Sequence, residues 1–219
     1  MNDLGWERLE AATGVVFVLL VIGGLAIAGA VGLDAKAPAA LFADDIAENR
    51  RALGAAAFLI GLAGVFLLWF VGILRSALQS GEREPGRLSA VVMASGALFS
   101  FMWILWGMLV ASSIGLSVHY DHPQGAKTAI VLAFEMIDRP IALLLPAVLL
   151  GTSSLVTLRG GALPRWHGWA SGALAALFVV GSGLGGVFGP PLGFPVVFFP
   201  IWVVATSVLL ISKVGSSTT

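Results

Sequence analysis

The sequence predicts an all-α fold: a polytopic transmembrane helical bundle of six spans with both termini in the cytoplasm. Three features predict it, namely the scarcity of charge, six apolar runs of membrane-crossing length, and the uneven sharing of Lys and Arg between alternate loops. Of 219 residues, 58% are hydrophobic and 11% charged, where an ordinary soluble domain carries about 25% charged residues. So few charges cannot build a water-facing surface, and residues 1–219 are expected to form a single membrane domain.

Runs of about 20 apolar residues mark the spans. They fall at Ala12 to Leu33, Ala52 to Leu74, Leu88 to Leu116, Thr128 to Leu158, Trp166 to Phe188 and Phe194 to Ile211. Barrel strands would be about ten residues long with alternating polarity, whereas these runs are continuously apolar. Helices also satisfy their own backbone groups inside lipid. The first eleven residues set Asp3, Glu7 and Glu10 against Arg8, unlike a secretory n-region, so the first run is expected to stay attached.

Orientation follows from the loop cations. The N-terminus, the second and fourth loops and the C-terminus hold Arg8, Arg75, Arg83, Arg87, Arg159, Arg165 and Lys213, seven in all, against four on the other side, Lys36, Arg50, Arg51 and Lys127. The richer set is assigned to the cytoplasm. Gln79 to Gly86 is a polar connector with turn-forming Gly and Pro, too short for a catalytic domain. Gly189 to Gly193 is uncharged and predicts a tight hairpin. The acidic stretch Asp34 to Arg51 predicts an amphipathic surface helix, with Leu41, Phe42, Ile46 and Ala47 on its apolar side.

Twelve Lys and Arg balance twelve Asp and Glu, so there is no basic surplus of the kind that captures nucleic acid. Cysteine is absent, which removes disulfides, thiolate metal sites and Cys nucleophiles. No cofactor is implied. Nine of the twelve cations are Arg, and with abundant Ala and Gly this suggests a bacterial inner-membrane protein.

Small residues at helical spacing allow close helix packing in lipid: Gly24, Ala28 and Gly32; Gly61 and Gly64; Gly181 with Gly185 and Ser182 with Gly186. They serve packing within the chain or a homo-oligomer. Trp103 and Trp106, three residues apart, could wall an apolar ligand pocket or pack against a neighbouring helix. Trp166 and Trp169 beside Arg165 read as an interfacial anchor.

One cluster asks for a function. Glu135, Asp138, Arg139 and Pro140 interrupt the fourth run, and three ionisable residues within one span are unusual. At about 100° per residue the three share an arc of roughly 100°, with Thr128, Ala142, Pro146 and Ser153 following the same face. Centring the span between Lys127 and Arg159 puts the cluster in its outer third, Arg139 about 9 Å inside the boundary. Pro140 cannot donate to the carbonyl of Met136, so a local kink is expected. Two carboxylates against one guanidinium must be compensated by a proton, by water or by an approaching donor. The functional reading is a polar cavity open to the exterior that binds a small polar or amphipathic ligand or lipid headgroup, or passes protons. The alternative is an Arg139 pair with Glu135 and a neighbouring helix that merely fixes the fold.

His119 and His122 flank Tyr120 and Asp121 in an external loop, but the spacing matches no dependable zinc motif and reads as a solvated loop. Ser112, Ser113, His119 and Asp121 supply residue types for acyl transfer without a nucleophile motif or oxyanion loop. The segment Leu163-Pro-Arg-Trp-His-Gly-Trp169 resembles the Pro-Arg-Trp start of a span in uncharacterised bacterial six-helix membrane proteins. That resemblance implies a similar helical bundle and no activity. Two roles follow: a non-enzymatic binder or transporter with ligand-binding residues Glu135, Asp138, Arg139, Trp103 and Trp106, or an accessory subunit docking its charged span on another membrane protein. Membrane lipids are the expected surroundings in both.

Overall fold

The computed structural model describes residues 12–82, 86–138, 140–188 and 194–216, with side chains described outside 137–141, 184–196 and 214–216. Arg139 and the Gly189 to Gly193 link lie outside the described residues, as do the first eleven residues and the side chain of Asp138, and Gly185 and Gly186 are described only as helical backbone.

Among the described residues there are eight α-helices, one 3-10 turn and no strand. In chain order they are α1 (Thr13–Val31), α2 (Ala39–Glu48), α3 (Arg50–Gln79), α4 (Arg87–Val118), α5 (Pro123–Asp138), the 3-10 turn Pro140–Leu143, α6 (Leu144–Gly160), α7 (Arg165–Phe188) and α8 (Phe194–Ser216). Helices α1, α3 and α4 are long and apolar enough to cross a membrane; α6 and the Val197–Lys213 part of α8 are apolar but shorter. Large apolar side chains cover the outside as well as the core. Leu19, Phe58 and Val197 are 65%, 68% and 61% exposed, while Ser100, Ser113, Ser153, Ser171, Thr206 and Ser207 are buried. The former suit contact with lipid tails, and most of the buried hydroxyls are satisfied locally, although Ser207 Oγ has no hydrogen-bond partner among the described residues. Ser95, Ser100 and Ser153 donate to the carbonyls of Val91, Gly96 and Leu149, four residues back, at 2.8, 2.8 and 2.7 Å.

The fold divides into two compact units. The second comprises residues 19–65 and 101–137, hence most of α1, the first half of α3, the second half of α4, and α2 and α5. Its close approaches are made by glycine: a methyl at Gly24 would run into Ile60 and the carbonyl of Ala56, and one at Gly107 would lie 2.6 Å from the carbonyl of Ala57 and 3.1 Å from Cα of Gly61. The expected amphipathic helix is α2, but it lies on protein. Phe42, Ala43 and Ile46 are buried, Leu41 is exposed, and the acids Asp44, Asp45 and Glu48 face out. Ser117 Oγ on α4 donates to the carbonyl of Ala43 at 2.6 Å. Lys127 on α5 donates to that of Ala37 at 2.6 Å, with its ammonium 5.8 Å from the Phe42 ring centroid. These bonds tie α2 to two helices of its own unit.

The first unit comprises residues 1–18, 66–100 and 138–219. A methyl at Gly14 would strike Ser207 and lie 2.8 Å from Phe70 and 2.9 Å from Val203; one at Gly96 would lie 2.5 Å from Val71 and 2.9 Å from Leu149. Phe199 of α8 gathers an aromatic cluster, with ring centroids 6.4, 5.1, 6.5 and 5.8 Å from those of Phe17, Phe99, Phe178 and Trp202. Contacts of that geometry contribute about 0.5–1.5 kcal/mol each beyond area burial.

Candidate functional site

The fourth apolar run is two helices, and the kink expected at Pro140 is a break. Helix α5 stops at Asp138, the chain makes one 3-10 turn over Pro140–Leu143, and α6 starts at Leu144. Proline explains the stop, since it has no N–H for the Met136 carbonyl and its ring crowds the preceding turn. The 3-10 turn tightens the backbone so that nearer carbonyls are used instead.

Glu135 sits one turn before this break and is half-buried. The buried stripe of α5 is Ala126, Ala129, Ile130 and Ala133. Glu135 is nine positions beyond Ala126, which is about half a turn around the helix from that stripe. Thr128, on the Glu135 face, is exposed, while Ala142, Pro146 and Ser153 beyond the break are buried. The small and polar stripe expected along one face is therefore outward on α5 and inward on α6. Asp138 and Arg139, the partners expected beside Glu135, lie outside the described side chains.

Trp103 and Trp106 belong to the core of the second unit, 7% and 1% exposed. Trp106 meets Phe134 edge-on, ring centroids 5.7 Å apart at 85°. That contact uses the residue next to Glu135, whose side chain points about 100° away. The structure thus brings Trp106 to α5 through Phe134.

His167, which the sequence reading gives no role of its own, is the centre of a buried polar clasp in the first unit. The Thr206 hydroxyl donates to the carbonyl of Trp202 at 2.7 Å, so it accepts at 2.8 Å from His167 Nε2, which fixes the proton on that nitrogen. In the mirror arrangement Trp202 Nε1 donates to Ser171 Oγ at 2.7 Å, and Ser171 donates to the carbonyl of His167 at 2.7 Å. Two donors and two hydroxyl relays, each four residues from its partner, lock α7 to α8. The spacing of His167 with Ser171 and of Trp202 with Thr206 is the sequence signal. His167 Nδ1 is buried with no hydrogen-bond partner among the described residues.

The remaining candidates are not gathered. His119, Tyr120, Asp121 and His122 are exposed, and among the described residues no group of three or more His, Cys, Asp or Glu could hold a metal ion. Ser113 is buried and donates to the carbonyl of Val110 at 2.7 Å, whereas Ser112, His119 and Asp121 are exposed. No family model matches this chain, and neither a curated protein nor a solved structure shows significant similarity to it.

Proposed function

We propose that this chain is a six-span membrane protein with both termini in the cytoplasm, and that it binds a small amphipathic molecule or lipid headgroup at an outward-facing polar pocket where its fourth span breaks. The carrying observation is the interruption of the helix between Asp138 and Leu144, one turn after Glu135. Non-helical backbone at membrane depth is tolerated only where protein buries it or where it lines a wet cavity. Paired with ionisable residues, such a break is the arrangement that transport proteins use at their binding sites. Glu135, Asp138 and the carbonyl of Met136, to which Pro140 cannot donate, are acceptors, and Arg139 is the cation beside them in sequence. The favoured ligand therefore presents hydrogen-bond donors or positive charge. Trp103 and Trp106 serve as packing behind α5 in this reading.

Native mass spectrometry of the protein in mild detergent tests it. A small molecule retained by the wild type and lost from Glu135→Gln supports the pocket; retention by the variant refutes it. A second reading, an accessory subunit docking this face on another membrane protein, is favoured by the position of Glu135 opposite the buried stripe of α5. A stoichiometric protein companion in the same spectrum would select it.

A further inference from the structure

A second polar feature lies in the first unit, and it is independent of Glu135. Gly81, after α3, and Gly160, at the end of α6, cross so closely that a methyl on Gly160 would collide with the Gly81 carbonyl, while one on Gly81 would lie 2.9 Å from Cβ of Ala162. Only glycine lets these two connections meet. Beside the crossing is a half-open cavity of about 400 Å³, at the lower end of the roughly 300–1,000 Å³ of small-molecule sites. Leu88 and Val156 form its apolar wall, and Glu82, Arg87 and Arg159 its polar rim.

Among the described residues that line it, two guanidiniums stand against one carboxylate, a positive excess. The carboxylate is moreover engaged, because Glu82 Oε1 accepts from the amide of Ser89 at 2.5 Å and so caps the first turn of α4. A third cation is anchored at the same crossing: Lys213 Nζ donates to the carbonyl of Ala162 at 3.1 Å. Thus α4, α6 and α8 each bring a cation to one glycine-built corner. All three belong to the cation-rich loop set that the sequence assigns to the cytoplasm.

We propose that this cavity binds the phosphate-bearing headgroup of an anionic lipid. Guanidinium forks match phosphate oxygens with paired, charge-assisted hydrogen bonds. A bare phosphate would satisfy the rim and leave Leu88 and Val156 facing water, whereas a glycerophosphate head with the start of its acyl chains covers both. Basic pockets between membrane helices at the cytoplasmic face hold anionic headgroups by this combination.

The test uses the full chain in mild detergent, offered dioleoyl phosphatidylglycerol, dioleoyl phosphatidylcholine or inorganic phosphate, with adducts read by native mass spectrometry and protection by thermal unfolding. Phosphatidylglycerol should be retained about tenfold more than phosphatidylcholine, the discrimination expected from one charge-assisted pair. Arg159→Gln should bring it down to the phosphatidylcholine level. If that variant is not monodisperse, Arg87→Gln replaces it. Equal retention of the two lipids overturns the proposal, and so does undiminished retention by the folded variant. Protection by inorganic phosphate equal to that by phosphatidylglycerol would assign the corner to a free anion and overturn the lipid.

Discussion

Replacing Thr206 with Val isolates one half of the buried clasp. The side chains are nearly isosteric, so no cavity opens, and the Trp202 carbonyl is left with its place in the α8 backbone ladder. The loss falls on His167 Nε2, which gives up its 2.8 Å acceptor in a residue 1% exposed. A buried donor left unsatisfied costs about 1–3 kcal/mol. Bonds between membrane helices average about 0.6 kcal/mol and reach about 1.7 kcal/mol, because the unfolded chain in lipid finds other partners. The upper membrane figure should apply here, since His167 Nδ1 already lacks a partner and the ring has no second bond to fall back on. Thr206→Val is therefore expected to destabilise by about 1–1.5 kcal/mol. For a chain of this size that is a fall of roughly 2–6 °C in Tm. Thermal unfolding in detergent reads it, and a double-mutant cycle with His167→Phe apportions it, with a coupling of about 1 kcal/mol expected. An unchanged Tm for Thr206→Val, or strictly additive effects in the cycle, would show that the clasp contributes nothing.

Two further outcomes follow from the second unit. Gly107→Leu should destabilise by about 1–3 kcal/mol or more, because its Cβ has nowhere to go between Ala57 and Gly61; a wild-type melting temperature would mean that α3 and α4 do not approach as described. Lys127→Met should speed amide exchange across Ala39–Glu48, since the tie from α5 to the Ala37 carbonyl is cut, and exchange at the wild-type rate would assign α2 to some other anchor.

Helix content was legible because every apolar run is long and all but the fourth are unbroken by charge, and hydropathy needs little else. Helix ends were less so. α3 begins at Arg50 and ends at Gln79, past the expected Ala52 to Leu74, because hydropathy reads the lipid-solvated middle whereas backbone hydrogen bonding continues into the interface. Helix α2 was visible as an amphipathic pattern, but its support was not: whether Phe42 and Ile46 meet lipid or protein depends on Ser117 and Lys127, more than 70 residues away. The glycines show the same divide. Gly24 was picked out by its spacing, while Gly107, which has Ala111 and Gly115 at the same four-residue spacing, was passed over and makes the closer backbone contact.

The fourth run shows where periodicity stops being a guide. A constant 100° per residue places Thr128, Glu135, Ala142, Pro146 and Ser153 on one face only if the helix is continuous. Pro140 breaks that condition, and the 3-10 turn over Pro140–Leu143 advances the chain by about 120° per residue instead. Residues before and after the turn therefore follow different phases, in keeping with Thr128 exposed and Ser153 buried. The break that spoils the stripe also makes the region chemically distinct. An uninterrupted helix would have satisfied the Met136 carbonyl internally. With Pro140 unable to donate, the Met136 carbonyl loses its usual donor within one turn of the carboxylate, and the proposed ligand is the source of donors for acceptors at that place.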